Sequence, residues 1–377
     1  MRKVALDLGT RKTTYCEVRD GQVVQRATVT AVRSLESLLG SEQPPAVVAI
    51  EACREAWYVH DLLTSWGNQV VLVDTTRSRR LGIGQHGRKT DRIDAEVLAL
   101  ALERGGIPVA HVLSPHRREL RRWLGVRRAL VESRAQLVTT ARGLAREYGT
   151  PLPRCSTERF VSNVRKLKGD PELGAALEPL LKMLETTSAE LVGVEQALAK
   201  LCVTEPIVSL LTTAPGVGPV VAASFVSVID EAKRFRSAHH VQSYLGLVPS
   251  EDSSGGKRRL GAISKKGNKY MRALLVQSAW TILRTADRSD PLRMWADAVA
   301  ARRGKAVAVI ALARRLVGVL WAMWSKSNVY DAGRLAVANS RGLTQSAQSL
   351  EFRAEALKKA SKKLSMKRFT AAEVTPQ

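Results

Sequence analysis

Short apolar runs separated by turn residues make up the beginning of the chain. Val4 to Leu8 is the first such run. Two more, Thr13 to Val18 and Gln22 to Thr28, flank the dipeptide Asp20-Gly21, which is typical of a tight β-hairpin. The pattern therefore predicts three antiparallel strands.

Two further strands with a helix between them follow this hairpin. Ala46 to Ile50 and Gln69 to Val73 are continuous apolar runs, and Ala56 to Trp66 has apolar residues at helical spacing. A helix that connects two strands of one sheet predicts that those strands run parallel. Three antiparallel strands followed by alternating helix and strand resemble the order of the ribonuclease H-like fold, which is an α/β fold. In a sheet of that fold the Val4 to Leu8 and Ala46 to Ile50 strands are neighbours and end at the same edge.

The pattern becomes helical from Ile93 onward. Arg117 to Glu147 and Pro171 to Leu201 are predicted as two long helices bounded by prolines, and the second carries a stripe of Leu and Val two turns apart. Such a stripe is typical of an antiparallel helical hairpin and also of a coiled-coil dimer arm, and both alternatives stay open. A second, mostly helical domain follows. The predicted division is 1–110, 111–205 for the helical linker or arm, 206–330 for the helical domain and 331–377 for a polar, Lys-rich tail.

The net charge of the chain limits the kinds of partner that it is expected to bind. The 377 residues include 59 Lys and Arg against 35 Asp and Glu, a net charge of +24, and a charge of this size favours nucleic acid or an anionic membrane surface. Scattered clusters favour a long polyanion over a membrane. The clusters are Arg77 to Arg92, Arg117 to Arg128, Lys257 to Arg272 and Lys358 to Arg368.

Other features exclude several locations and site types. Arg314 and Arg315 interrupt the longest apolar stretch, which leaves runs well short of the roughly 18 residues of a membrane span, and the N-terminus lacks the pattern of a secretory signal. The four cysteines have no paired spacing, so neither a zinc knuckle nor a disulfide framework is expected. We therefore expect a cytoplasmic, nucleoid-associated protein with reduced thiols and no membrane partner.

Four carboxylates predict a metal site. Asp7 is the only charged residue in its apolar strand, and Glu51 ends the Ala46 to Ile50 strand; a carboxylate in such a position is costly unless it is paired or binds a cation. Asp91 and Asp94 are three residues apart, on one face of a helix start. Oxygen ligands of this kind suit two Mg²⁺ ions, with Mn²⁺ as a substitute. Asp74 is a weaker candidate.

Each acid also has a purely structural alternative. Asp91 is then a favourable charge at a helix N-terminus, Glu51 a strand-end residue that pairs with Arg54, and Asp7 a buried acid satisfied by local amides. The combination of all four on this strand order favours the metal.

Two segments of the second domain point to a nucleic-acid backbone. The turn Pro215-Gly216-Val217-Gly218 lies between two apolar helical segments, and its amides suit a phosphate, as in helix-hairpin-helix elements, although a tight structural turn is the alternative. Further on, two serines precede a glycine pair and a basic run. Taken by themselves, these serines are phosphate contacts rather than nucleophiles. The residues of this segment that we predict to bind or act on nucleic acid are Ser253, Ser254, Lys257, Arg258, Arg259, Lys265 and Lys266.

The order of these motifs resembles one family. Asp7-Leu8-Gly9, Ile50-Glu51-Ala52, Lys89 to Ala95, Pro215 to Gly218 and Ser253 to Lys265 resemble the DEDD transposases of bacterial insertion sequences, over about residues 1 to 330. These proteins have a RuvC-like N-terminal domain and a C-terminal transposase domain, and they are bridge-RNA-guided recombinases.

The resemblance implies a mechanism and partners. Asp7, Glu51, Asp91 and Asp94 would bind Mg²⁺, and Ser254, with Ser253 as the fallback, would attack DNA and form a covalent phosphoserine link. The implied partners are donor and target DNA, a structured noncoding guide RNA, and further copies of the chain as dimers that pair into tetramers. Two alternative functions are a Holliday-junction resolvase-like Mg²⁺ endonuclease that uses activated water and a non-catalytic nucleic-acid-binding protein.

Overall fold

The computed structural model of the protein describes residues 1–78, 91–167, 170–252 and 259–336. It divides into a first unit, Met1–Leu113, and a second unit that begins at Ser114. The first unit is a mixed α/β arrangement and the second is mostly helical. The four predicted domain ranges stay a prediction.

A five-stranded sheet forms the centre of the first unit. Its order is β3-β2-β1-β4-β5, with β2 antiparallel to β1 and β3, and with β4 parallel to β1 and β5. This order fits a ribonuclease H-like domain, and the predicted hairpin and parallel pair are confirmed. The strands are β1 Arg2–Leu8, β2 Thr13–Arg19, β3 Gln22–Val29, β4 Ala46–Glu51 and β5 Gln69–Val73.

Apolar side chains alternate between the two faces of this sheet. Leu6 and Ile50 belong to one core cluster, whereas Ala5 and Ala49 belong to another on the opposite face. The short helices of this unit are α1 Glu36–Leu39, which extends a 3₁₀ turn Val32–Leu35, then α2 Ala56–Ser65, α3 Thr75–Ser78 and α4 Asp91–Glu103.

A long helical hairpin begins the second unit. Its helices are α5 Pro115–Glu147, α6 Thr157–Arg165 and α7 Pro171–Val203. The C-terminal half of α5 packs with the N-terminal half of α7, through Ala141 and Leu177 among others, and Leu120 of α5 shares a core cluster with Leu198 of α7. The two helices are therefore antiparallel. The leucine stripe of α7 is buried within the chain, and dimer formation through this hairpin stays a prediction.

The rest of the second unit is a helical core with one small hairpin of strands. The elements are α8 Pro206–Leu211, α9 Pro219–Ile229, a 3₁₀ turn Ala232–Arg234, α10 Ala238–Tyr244, β6 Pro249–Glu251, β7 Leu260–Ile263, α11 Lys269–Thr285, α12 Pro291–Arg303 and α13 Lys305–Lys326. Every residue of α9 from Ala222 to Ile229 is buried. A helix that is apolar on all sides belongs in a core.

One helix of the described residues, α13, is long and apolar enough to cross a membrane when judged by length and composition alone. Leu312, Leu316 and Leu320 of this helix are fully buried in the core of the second unit. The apolar side chains of α13 are thus used for packing inside the protein.

The cysteines agree with the expectation of reduced thiols. Cys16, Cys53, Cys155 and Cys202 are all free. The predicted tail, 331–377, lies outside the described residues from 337 onward.

A buried charged network stabilises the pairing of β1 with β2. Arg2 and Tyr15 both contact Glu17, with 2.7 Å from Arg2 Nη2 to Glu17 Oε2 and 2.7 Å from the Tyr15 hydroxyl to the same oxygen. Burial raises the pKa of Tyr15 far above its usual value. Burial alone would also raise the pKa of Glu17, but the hydrogen bonds from Arg2 and Tyr15 outweigh it, so this pKa lies below its usual value.

We predict that Glu17→Gln lowers stability by about 3 kcal/mol at pH 7, because it leaves Arg2 as a buried charge without its carboxylate. A carboxyl with a lowered folded pKa stabilises the protein above its unfolded pKa, about 4.3, and this contribution is lost as the pH falls through the folded pKa. The difference between variant and wild type should therefore shrink towards pH 2. Denaturant unfolding of the full chain at pH 7 and at pH 2 measures this difference in the free energy of unfolding. Glu42→Gln, at an exposed site, is the matched control, and its stability should stay close to that of wild type. An equal loss of stability in both variants would contradict a stabilising role of the Glu17 network.

Candidate active site

Asp7 and Glu51 lie at the ends of neighbouring parallel strands. In the β1–β4 pairing Leu6 is opposite Ile50, and each acid is the next residue along its strand. Parallel strands have their carboxyl ends at the same edge of a sheet. The predicted juxtaposition of these two strand ends is therefore present in the fold.

Both acids also lie on the same face of the sheet. Side chains alternate along a strand, so Asp7 shares the face of Ala5, and Glu51 shares the face of Ala49. Ala5 and Ala49 pack with Ala95 and other side chains of α4. Helix α4 therefore covers the face that carries the two acids.

The N-terminus of α4 lies near the carboxyl end of β1. Lys12, in the turn that follows β1, places its Nζ 3.5 Å from Asp91 Oδ2. At the other end of the helix, Glu103 accepts a hydrogen bond of 2.9 Å from the Gly21 amide, in the turn near the start of β1. Helix α4 thus runs antiparallel to β1, which brings its first turn to the edge where Asp7 and Glu51 lie.

Asp91 and Asp94 are on the helix face that carries the buried residues of α4, and Asp91, at the helix start, is itself exposed. Each precedes a buried residue by one turn, Ala95 in one case and Leu98 in the other. Asp94 Oδ1 is buried and makes no hydrogen bond to the described part of the chain. A buried carboxylate oxygen without a donor is costly, and a cation would relieve that cost.

The four acids border one edge but are not gathered into a closed ligand set. Within residues 1–78, 91–167, 170–252 and 259–336, no group of three or more His, Cys, Asp or Glu side chains is arranged to hold a metal ion. Mg²⁺ is often bound through one or two carboxylates together with water and substrate phosphates. The residues present suit a site that substrate completes.

The sequence analysis missed Lys12. This residue is exposed, in the tight turn where the Gly9 amide donates to the Lys12 carbonyl at 3.0 Å. Its position after the first strand was the only signal in the sequence. Lys12 supplies a counter-charge to Asp91 at the candidate site.

The weaker candidate Asp74 and the exposed acid Asp61 have other partners. Asp74 Oδ1 accepts a hydrogen bond from the Arg77 amide at 3.2 Å, at the start of α3. Asp61 Oδ1 lies 3.0 Å from His60 Nδ1 on α2.

The two glycines of the turn between α8 and α9 differ in their surroundings. Gly216 has a φ of +69°, and a Cβ there would lie 2.7 Å from both the Ser278 carbonyl oxygen and Ile282 Cγ1 of α11. Gly218 is exposed, and a Cβ there would contact nothing within 4 Å. Packing therefore requires glycine at position 216 and not at position 218.

The proposed serine segment lies between β6 and β7. The Asp252 amide donates to the Arg259 carbonyl at 3.0 Å. Ser253, Ser254, Lys257 and Arg258 lie outside the described residues. Arg259, Lys265 and Lys266 are exposed, as a role in phosphate binding requires.

Part of the Arg117 to Arg128 cluster is paired with acids of the same chain. Arg117 contacts the Glu205 carboxylate, Arg127 Nη2 lies 2.7 Å from Glu195 Oε1, and Arg128 Nε lies 2.7 Å from Glu132 Oε1. These arginines stabilise the second unit, so this cluster is not wholly available to a polyanion.

Two family descriptions match separate parts of the chain. Residues 4–149, the part of the chain that contains the four acids, match a family of transposases of the DEDD type. Residues 208–292, the part of the chain that contains the glycine turn and the serine segment, match the family described as "Transposase IS116/IS110/IS902 family".

Curated relatives agree with these matches. A probable family 20 transposase of Pseudomonas aeruginosa is 30% identical over 297 residues, which is 77% of this chain and 87% of that protein. The transposase for insertion sequence element IS1111A of Coxiella burnetii is 29% identical and matches 76% of this chain and 79% of its own length. The transposase for IS1328 of Yersinia enterocolitica is 26% identical over 87% of this chain and 98% of its own length.

These matches define an enzyme of DNA transposition. The chain belongs to the IS116/IS110/IS902 family of insertion-sequence transposases. Transposases act on DNA, and DEDD transposases typically use a divalent metal ion.

We predict that Gly216→Ala and Gly218→Ala differ sharply in stability. The first should cost about 2–4 kcal/mol, because it combines a left-handed backbone with overpacking against α11. The second should stay within about 0.5 kcal/mol of wild type, as for an ordinary surface substitution. Scanning calorimetry of the two variants as full chains measures the difference. Equal melting temperatures of the two variants would show that Gly216 does not pack closely against α11.

Proposed function

We propose that this transposase cuts and rejoins DNA through a phosphoserine intermediate, with Mg²⁺ held by Asp7, Glu51, Asp91 and Asp94. The observation that carries the metal assignment is the register of β1 and β4, which puts two carboxylates at adjoining strand ends on the face covered by α4. Asp94 Oδ1, which is buried and makes no hydrogen bond to any described residue, supports it.

The electrostatics of the edge favour a bound cation. Carboxylates that lie close together repel each other unless a cation or a proton neutralises one of them. Lys12 Nζ lies 3.5 Å from Asp91 Oδ2, but both side chains are more than half exposed, and such a pair is worth little. A bound Mg²⁺ would supply charge stabilisation for the phosphate oxygens as they react.

The covalent step is a transesterification. The Ser254 hydroxyl oxygen attacks the phosphorus, a new P–O bond to serine forms, and the P–O bond to one deoxyribose oxygen breaks. That sugar oxygen takes up the proton that the serine gives away. Rejoining is the reverse step with the hydroxyl of another strand, so the phosphodiester energy is conserved and no further reactant is needed. Ser253 is the fallback nucleophile.

The second unit would hold the DNA backbone. The exposed side chains of Arg259, Lys265 and Lys266 suit phosphate contacts, and Gly216 and Gly218 flank the turn whose amides suit the same role. The open space beside Gly218 leaves room for close approach of a phosphate. Lys257 and Arg258, in the serine segment, complete the proposed set.

Several finer features depend on the family resemblance. These are the RuvC-like and helix-hairpin-helix-like classes of the two units, guidance by a structured noncoding RNA, and assembly of dimers into tetramers. Sequencing of RNA that copurifies with the full chain tests RNA guidance, and light scattering of the purified protein tests assembly.

The metal prediction concerns Asp7→Asn. The variant should lose strand cleavage in Mg²⁺ while it keeps the fold, because the substitution removes a ligand and also relieves carboxylate repulsion. A second measurement does not depend on activity: Mg²⁺ should raise the melting temperature of wild type, since binding to the native state stabilises it, and should raise that of the variant less.

Asp61→Asn is the matched control in the same unit, since Asp61 is exposed and pairs with His60 on α2. It should cleave normally and keep the response to Mg²⁺. Near-normal cleavage by Asp7→Asn would exclude Asp7 as a required metal ligand.

The serine prediction separates transesterification from hydrolysis. With a suicide DNA substrate, wild type should form a protein–DNA adduct that survives denaturing electrophoresis, and Ser254→Ala should lose both the adduct and recombination. Ser254→Ala should still bind DNA, because the substitution removes one hydroxyl and leaves the basic residues.

Hydrolysis by activated water predicts the opposite results. An endonuclease that used activated water would leave free DNA ends, and Ser254→Ala would cost only a contact of about 1 kcal/mol. Cleavage by wild type without any adduct would rule out a serine mechanism, and an adduct lost only in Ser253→Ala would move the nucleophile by one residue.

A further inference from the structure

An exposed aromatic ring in the second unit lies beside an arginine. Tyr244, the last residue of α10, is 43% exposed. Its ring packs edge to face against Phe235, with 5.3 Å between the ring centroids. The Arg234 guanidinium carbon lies 5.7 Å from the Tyr244 centroid and 5.2 Å from the Phe235 centroid. Burial lowers the pKa of Arg121 on α5, and Tyr244 opposes that shift. We call these four residues the Tyr244 cluster.

The cluster is anchored to the rest of the unit. Arg234 Nη1 donates a hydrogen bond of 2.6 Å to the Ile229 carbonyl, and Phe235 packs against the core. Arg234 and Phe235 are thus held in position by the protein itself. The exposed Tyr244 ring rests on a preformed support, which lowers the cost of ordering it when something binds.

The backbone of Tyr244 is held against the segment that joins β7 to α11. Gly267 in that segment has a φ of +103°, and a Cβ there would lie 2.1 Å from the Tyr244 carbonyl oxygen. The Lys265 amide donates to the Gly246 carbonyl at 3.1 Å. The strand β7 is the strand that follows the proposed serine segment, so the Tyr244 cluster is fixed close in the fold to that hairpin.

The charge around Tyr244 favours a polyanion over an apolar protein surface. Lys265, Lys266 and Lys269 are exposed on the segment just described and at the start of α11, and Arg236 is exposed beside the cluster. Tyr148 at the end of α5 offers a contrast, since it is 39% exposed but interacts with Glu147, Asp170 and Glu172. An exposed ring among cations is the combination that binds single-stranded nucleic acid, by base stacking and backbone attraction together.

We propose that the Tyr244 ring is a stacking site for an unpaired nucleobase, next to the phosphate contacts of Lys265 and Lys266. The inference deepens the proposed function and rests on it, because it takes the bound strand to be the one that the β6–β7 hairpin handles. Arg234 adds cation–π attraction to the ring, and the positive charges of Arg234 and Arg121 attract phosphate. The base belongs either to an opened DNA strand or to a single-stranded part of an RNA, and both present the same π face.

The test measures binding of labelled oligonucleotides by fluorescence anisotropy, with the full chain in EDTA so that neither metal binding nor cleavage contributes. Tyr244→Leu should weaken binding to single-stranded DNA about tenfold, which is the effect of losing one base–aromatic stack. The dependence on salt should stay the same, because no phosphate contact is removed. Duplex DNA should bind as to wild type, since its bases are already stacked.

Two variants are matched controls. Tyr244→Phe keeps the ring and should bind like wild type, and Tyr148→Leu removes an equally exposed tyrosine from acidic surroundings and should change nothing. An RNA strand of the same sequence, run in parallel, assigns the base to DNA or RNA according to which strand loses affinity. Photocrosslinking of an iodouracil-substituted strand to wild-type protein should label Tyr244, and this measurement does not depend on how any variant folds.

Three results would overturn the proposal. They are an unchanged affinity in Tyr244→Leu, an equal loss for duplex and single-stranded DNA, and a loss in Tyr244→Phe as large as in Tyr244→Leu. None of these depends on Ser254 or on the metal. Failure of the stacking site and failure of the phosphoserine mechanism are therefore distinguishable.

Discussion

The parallel pairing of β1 with β4 is the contact on which the candidate active site depends. The register opposes Leu6 to Ile50, so the next residue of each strand, Asp7 in one and Glu51 in the other, lies at the same edge and on the same face. A shift of one residue would turn one carboxylate to the opposite face. The fully buried aliphatic side chains on the other face make such a shift costly, and the apolar core therefore positions the acids.

Helix α4 completes this edge through its direction. Contacts at its two ends, Lys12 with Asp91 and Gly21 with Glu103, orient it antiparallel to β1 and bring its acidic first turn to the strand ends. A helix N-terminus favours negative charge, which offsets part of the repulsion among the carboxylates. The remaining cost lies at Asp94 Oδ1, which makes no hydrogen bond to the described residues, and a cation bound at this edge would relieve it.

The second unit separates packed residues from exposed ones within short stretches of sequence. In the turn between α8 and α9, Gly216 is required by its close approach to α11, whereas Gly218 faces open space. In α5, Arg127 and Arg128 form ion pairs with acids of the same unit, whereas the cations after β7 are exposed. A motif or a charge cluster is thus divided between two physical roles that its sequence does not distinguish.

The sequence by itself determined the elements of the first unit. Continuous apolar runs and the Asp20-Gly21 turn predicted all five strands, and β5 has the predicted bounds, Gln69–Val73. The order of strand and helix also predicted that β1 and β4 are neighbours. Local patterns suffice here because strand periodicity, turn geometry and the connection rule act over short distances along the chain.

Only the tertiary structure decided which groups meet across long separations in sequence. It placed the leucine stripe of α7 against α5 in a hairpin within one chain, although the periodicity alone suited a dimer equally well. It brought Lys12 to Asp91 and Arg127 to Glu195, and neither pair has a local pattern. Such contacts depend on how whole elements pack, and the free energy that selects the packing comes from the buried apolar faces and not from the charged residues that the packing brings together.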